Sequence, residues 1–191
     1  MKILEEKILE EGKIYPGNVL KVDSFLNHQI DVGLLDVIGE AFYEKYKGKK
    51  ITKILTIEAS GIAIACATAK FFGVPVVFAK KSKSLNIGDD VYVSRVSSFT
   101  YGKEYDATIS REYLKNDDKV LIVDDFIAIG NAMKGLVEIC DQAGAEIVGI
   151  GICIEKAFQH GGDDLRQMGY DVTSLAIIDE MTDKGEVIFR D

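Results

Sequence analysis

Residues 120 to 132 read Val-Leu-Ile-Val-Asp-Asp-Phe-Ile-Ala-Ile-Gly-Asn-Ala. Two adjacent carboxylates, Asp124 and Asp125, can each accept hydrogen bonds from the vicinal hydroxyls of a sugar. The stretch Ala128, Ile129, Gly130, Asn131 and Ala132 then leads into a helical pattern, Met133, Leu136, Val137 and Cys140. A helix N-terminus that follows such a turn offers backbone N–H groups to an anion. Diol recognition and anion recognition a few residues apart match the two ends of a ribose 5-phosphate. Helix capping alone would use one acid and leave the second unexplained.

These groups need a frame. Val120 to Val123 is a short apolar run with β-branched residues, as in a strand buried on both faces of a parallel sheet, with the two acids at its C-terminal end. Ligands of open α/β sheets bind at the carboxyl ends of strands. The rest of the chain alternates accordingly. Met1–Glu11 is an amphipathic helix. Leu34–Tyr46 has helical spacing, Ile51–Ile57 is a strand, and Ile62–Phe72 is a helix stopped by Gly73, with Pro75 before a strand at Val76–Ala79. Val91–Phe99 and Ala107–Ser110 suit an antiparallel pair split by polar residues 100–106. The helix after Ala132 ends near Gly144. Ile147–Ile154 is a second buried strand, its Gly149 and Gly151 allowing close packing, and Asp163–Met168 is a short helix. Strands at Val172–Ile178 and Val187–Phe189 complete an α/β pattern. Ala59, Ser60 and Gly61 end the strand Ile51–Ile57 in a second small-residue turn that opens a helix and offers N–H groups to another anion.

The segment 120–132 resembles the phosphoribosyl-diphosphate (PRPP) signature of type I phosphoribosyltransferases. Many members carry Thr-Gly followed by Thr where this chain has Ile129, Gly130, Asn131 and Ala132. The 5-phosphate is then expected to rest on backbone N–H groups, with the Asn131 amide as an extra donor. The resemblance implies that Ala59, Ser60 and Gly61 bind pyrophosphate. It also implies that a flexible antiparallel hood closes over PRPP. Lys81, in the acid-free stretch with Lys80 and Lys83, would reach the pyrophosphate, often across a dimer interface. Ser97, Ser98, Phe99 and Thr100 resemble the hood's return strand.

The segment Lys21-Val-Asp-Ser-Phe-Leu-Asn-His-Gln-Ile-Asp31, the Asp-Asp-Phe run and Glu155-Lys156-Ala-Phe extend the likeness over nearly the whole chain, to the bacterial xanthine phosphoribosyltransferases. That likeness implies a type I fold: a mostly parallel sheet flanked by helices, one domain of residues 1–191, with a core at about 32–155 and a purine cap from 1–31 and 156–191. It implies transfer of phosphoribose from PRPP to N9 of xanthine, Mg2+ carried by PRPP, and a homodimer. Leu20 and Asn27 would line the purine pocket, and Lys156 would donate to a ring oxygen. An ammonium only donates, so it suits an oxo group and rejects an exocyclic amine. Asn27 both donates and accepts, so it can read the second carbonyl of xanthine. Ala128 holds the place of a third Asp found in hypoxanthine-guanine enzymes, and no general base can be assigned.

Composition narrows the alternatives. Apolar residues are 47% and charged residues 28%, a globular balance. A net charge of −8 disfavours a nucleic-acid surface. No apolar run reaches the roughly 20 residues needed to span a bilayer, and no signal peptide is evident, so a cytoplasmic location without a membrane partner is expected. Cys66, Cys140 and Cys153 lie in apolar stretches and read as buried thiols. His160, beside Gly161 and Gly162, reads as a surface residue. The rivals are an adenine phosphoribosyltransferase, disfavoured by Lys156, and a PRPP-sensing regulator, for which residues 1–18 are too few to form a DNA-binding unit. A dinucleotide enzyme lacks a fingerprint.

Overall fold

The computed structural model describes residues 1–81, 90–98, 103–182 and 185–190. Lys83, Phe99 and Thr100 lie outside the described residues. In chain order the helices are α1 (Lys2–Glu11), α2 (Val32–Tyr46), α3 (Gly61–Phe72), α4 (Asn131–Ala143) and α5 (Gly161–Gln167). The strands are β1 (Lys13–Tyr15), β2 (Val19–Lys21), β3 (Lys53–Ile57), β4 (Val76–Ala79), β5 (Val91–Ser98), β6 (Lys103–Ser110), β7 (Lys119–Ile127), β8 (Glu146–Lys156), β9 (Val172–Met181) and β10 (Val187–Phe189). Six strands form the central sheet in the order β10-β9-β8-β7-β3-β4. All neighbours are parallel except β10, which runs antiparallel to β9. The pairs β1–β2 and β5–β6 are separate antiparallel hairpins.

The sheet is buried on both faces, which is why its strands are near-continuous apolar runs. Leu121 and Val123 pack with α1, α2 and α3, whereas Val120 and Ile122 pack with α4, α5 and the β5–β6 hairpin. This is the period-2 alternation of a strand applied to two cores. The helices stop where their sequences say they should. Gly73 and Gly144 take left-handed conformations, with φ of +66° and +70°.

Three readings of the sequence need correction. Strand β7 does not stop at Val123 but runs to Ile127, because β8 continues beside it and pairs Asp124 with Ile152 and Phe126 with Ile154. Strand β6 begins at Lys103, since its polar start pairs with β5 out to Ser98. Cys66 is exposed, because it lies between the buried positions Ile64, Ala65, Thr68 and Ala69 on the outer face of α3. The β1–β2 hairpin and a π-helix at Asp23–Asn27 carry no periodicity that the sequence could reveal.

Helix α2 lies against β8 through two glycines. A Cβ on Gly149 would stand 2.3 Å from Tyr46 Cε1, and one on Gly151 would stand 2.8 Å from Phe42 Cε1. Both rings are fully buried. The Tyr46 hydroxyl also lies within hydrogen-bonding distance of the carbonyls of Ile150 and Asp171 and of Thr173 Oγ1. Gly149→Ala should therefore force apart a ring that its hydroxyl holds in place. We expect a loss of about 1–3 kcal/mol of stability, read as a lower urea midpoint with an unchanged slope. An unchanged midpoint would mean that α2 can slide.

Candidate active site

Strand order reverses between β3 and β7. From β3 the chain goes through α3 to β4 on one side; from β7 it goes through α4 to β8 on the other. The loops that leave β3 and β7 therefore diverge, and the crevice between them is where doubly wound sheets bind ligands. Residues 59–61 follow β3 and residues 128–132 follow β7, so the two anion-binding turns expected from the sequence open on the same crevice.

Asp124 is only 5% exposed. Burial pushes its carboxyl well above the usual range, the neighbouring Asp125 charge pushes the same way, and the Lys81 charge pulls it back. The first residue of α3 makes room for it. A Cβ on Gly61 would stand 2.0 Å from Thr56 Oγ1 and 2.7 Å from Asp124 Oδ1. The buried Thr56 hydroxyl has no hydrogen-bond partner among the described residues. Asp125 is half-buried, and its Oδ1 accepts from the N–H of Phe126 at 2.9 Å.

Gly130 ends the loop after β7 with φ of +86°, a left-handed conformation that favours glycine, and its carbonyl accepts from Lys134 N–H at 2.9 Å. Residues Ala128 to Ala132 form one wall of a cleft of about 190 Å3, with Val96, Ser97, Tyr105 and Phe126 on other walls. The Asn131 amide was expected to be an extra donor to phosphate. Here it donates to the Ser97 carbonyl at 3.0 Å and ties the loop to β5. One of the two amide N–H donors of Asn131 is used in this way, and the other is left beside the backbone N–H groups and the α4 terminus.

Ala59 is exposed and Ser60 precedes α3 without a side-chain cap. The Glu58–Ala59 peptide is cis. Glu58 Oε1 accepts from the Lys81 backbone N–H at 2.6 Å, and Lys81 Nζ lies 5.4 Å from the centre of the Tyr105 ring. That anchors Lys81 to the turn at 58–61 and turns its ammonium toward the cleft wall.

Lys156 closes β8. Its Nζ donates to the Asn18 carbonyl at 2.8 Å and lies 5.6 Å from the centre of the Phe126 ring. Asn18 and Gly17 take left-handed φ of +61° and +82° in the β1–β2 turn, which brings that carbonyl to Lys156. Burial lowers the Lys156 pKa, and no carboxylate pairs with it among the described residues. Leu20 is buried, with its Cδ1 toward Gly12, whereas Asn27 is exposed at the end of the π-helix. The structure thus joins Lys156 to the hairpin that carries Leu20 and to Phe126, two residues after Asp124. Sequence reasoning gave no role to Thr56, Glu58 and Tyr105, and quoted Phe126 only as part of the Asp-Asp-Phe run. Only the fold brings their side chains to the crevice.

A doubly wound sheet with paired acids and two small-residue turns at its switch point is the frame of an enzyme class that acts on phosphorylated ribose. The chain belongs to the phosphoribosyl transferase domain family, whose model matches residues 26–183. It is 57% identical over 192 residues to a xanthine phosphoribosyltransferase of Bifidobacterium adolescentis, covering 100% of both chains. It is 52% identical over 191 residues to one of Lachnoclostridium phytofermentans, covering 100% of this chain and 98% of that one. The solved adenine phosphoribosyltransferase of Trypanosoma brucei superposes with a TM-score of 0.78 at 21% identity, over 95% of this chain and 82% of that one. At that identity the likeness concerns the fold alone.

Gly61→Ala is the sharpest probe of the buried acid, since the added methyl must displace Thr56 or Asp124. Relieving an overpacked contact of this kind takes about 1–3 kcal/mol, so kcat/KM for PRPP should fall by about ten- to a hundredfold. Pyrophosphate release measures it. Wild-type kinetics would show that the position of Asp124 is immaterial.

Proposed function

We propose that the chain transfers the phosphoribosyl group of PRPP to N9 of xanthine, giving XMP and pyrophosphate. The observation that carries the choice of base is Lys156, a half-buried ammonium beside the Phe126 ring with no carboxylate partner among the described residues. It suits an oxo group, and the names of the full-length relatives support the same base. Asn27 reads the second carbonyl, Leu20 lines the pocket, and Phe126 supplies an apolar face.

The division of labour follows the chain. The core at about 32–155 binds PRPP, and residues 1–31 and 156–191 form the purine cap. Asp124 and Asp125 hold the ribose 2- and 3-hydroxyls. Residues Ala128 to Ala132 hold the 5-phosphate, and Ala59, Ser60, Gly61 and Lys81 hold the pyrophosphate. Binding at the two remote anions positions C1 for attack. The C1–O bond to pyrophosphate breaks, the N9–C1 bond forms, and the N9 proton leaves to solvent. As C1 becomes cationic, a carboxylate that burial makes reluctant to ionise gains a positive neighbour. Mg2+ carried by PRPP would neutralise charge on the leaving pyrophosphate, and the carboxylate oxygens of Asp124 and Asp125 would suit a hard ion of this kind. Among the described residues no three His, Cys, Asp or Glu side chains group as a metal site, and none of the described helices is long and apolar enough to cross a membrane. The enzyme works in the cytoplasm as a homodimer, with no nucleic-acid or membrane partner in its mechanism.

The decisive experiment follows pyrophosphate release from PRPP with xanthine, guanine, hypoxanthine and adenine. Xanthine should be the best substrate. Replacing Asp124 and Asp125 together with Asn should lower kcat at least about a hundredfold, as loss of one oxyanion donor does elsewhere at roughly 3 kcal/mol. A preference for adenine would overturn the choice of base, and an unchanged double variant would overturn the role of the acids.

The two base-reading residues should fail differently. Lys156→Ala should impair every oxopurine. Asn27→Ala should act mainly on the ratio of xanthine to hypoxanthine, by about 1–3 kcal/mol or roughly ten- to two-hundredfold. Values of kcat/KM for three purines with both variants decide the matter. An equal loss on all three with Asn27→Ala would make that residue structural only.

A further inference from the structure

Strand β8 ends in two charged residues with different fates. Lys156 goes to the Asn18 carbonyl, whereas Glu155 is 0% exposed. Arg166 meets it two-pronged: Nη1 donates to Oε1 at 2.8 Å and Nη2 to Oε2 at 2.7 Å. The Ser174 hydroxyl donates to the same carboxylate. Burial pushes the Glu155 carboxyl up, but these hydrogen bonds and the Arg166 charge outweigh it and hold Glu155 below the usual range. The group is therefore a buried, paired anion at the carboxyl edge of the sheet.

Two glycines stand between this anion and the phosphate loop. A Cβ on Gly162 would lie 2.2 Å from Glu155 Oε1. A Cβ on Gly161 would lie 2.3 Å from the Ala128 oxygen and 2.7 Å from the Gly130 nitrogen. Gly161 N–H donates to the Ala128 carbonyl at 3.0 Å, and Lys134 Nζ meets Asp164 Oδ2 at 2.7 Å, so α5 grips the loop and the first turn of α4 together. The segment is pressed on one face by a buried carboxylate and on the other by the backbone of residues 128–130.

We propose that Glu155 and Arg166 are positioning residues for PRPP. Their ion pair seats Gly161 and Gly162 against the loop at 128–132, so that the loop's N–H groups point where the 5-phosphate binds. Neither residue touches substrate. A buried ion pair is a poor stabiliser, since well-packed apolar replacements often do as well, but its two-pronged geometry fixes direction. Lys156 is held independently, by pairing with Ile178 of β9 and by Asn18, so the reading of the base does not depend on the clamp. The proposal rests on the assignment of residues 128–132 to the 5-phosphate of PRPP.

The test is steady-state kinetics of the full chain with PRPP and xanthine varied in turn. Glu155→Gln should raise KM for PRPP about tenfold or more and leave KM for xanthine within about twofold. Gly161→Ala, which strikes the loop directly and leaves the ion pair alone, should show the same signature. Arg166→Lys keeps the charge but loses the fork, and should fall between wild type and Glu155→Gln. A residue that serves stability alone would lower the melting temperature and the active fraction and leave KM for PRPP unchanged, and that result overturns the proposal. If Glu155→Gln does not fold, Arg166→Lys carries the same decision. A wild-type chain that turns over PRPP with no purine would instead overturn the assigned reaction, whatever the variants do.

Discussion

A carboxylate must be kept out of water yet available to a cation at the open end of an apolar sheet. That constraint, met at Asp124, shapes the centre of this fold. Strand β7 is apolar on both faces up to Val123, and the acid follows without a break because β8 still supplies backbone partners there. The acid has little solvent and a like-charged neighbour, both of which disfavour its ionised form. The same surroundings favour whatever positive charge comes near. Gly61 at the head of α3 and the small residues of the adjoining turn leave space above it. A larger side chain at that one position would close the crevice from the β3 side.

Close approach, not side-chain chemistry, recurs through the site. Gly61 admits Asp124, Gly149 and Gly151 admit the α2 rings, and Gly161 admits the phosphate loop. Each contact brings a glycine backbone against backbone, a ring or a polar side chain at distances that no Cβ tolerates. The anion site proposed there would be made of N–H groups whose directions are set by packing. Such donors need little reorganisation when a phosphate arrives.

Much of this was legible in the sequence because it is written in short-range pattern. The apolar run before the two acids, the glycines after α3 and α4, and the small residues after β3 and β7 are local signals. The structure places them as the pattern requires. Other features depend on partners remote in sequence. The extension of β7 to Ile127 is owed to β8, and a contact such as Gly161 on Ala128, at a helix start two residues before the expected Asp163, is invisible until both segments are folded. The bond that the Asn131 amide makes to the Ser97 carbonyl, thirty-four residues away, is likewise not written in the local pattern. Strands of three residues, such as β1 and β2, are too short for a period to show. A π-helix over residues 23–27 is defined by its hydrogen bonds and not by composition.

The net charge of −8 sets a last problem, since the proposed substrate is itself a polyanion. A long-range attractive field is not available, and beyond about 8–10 Å the repulsion is screened at physiological salt. Attraction has to come from groups inside the crevice, where screening is weaker. The chain supplies them sparingly: the α4 terminus, the turn before α3, Lys81 beside Tyr105, and Lys156 beside Phe126. Both ammonium groups lie against aromatic rings, and neither pairs with a carboxylate among the described residues. A salt-bridged lysine would have to break its pair before meeting a ligand, whereas an ammonium on a ring face keeps its charge free for an oxygen. An acidic protein can therefore serve an anionic substrate, provided that its few cations in the cleft are left without acid partners and its anion donors are mainly backbone.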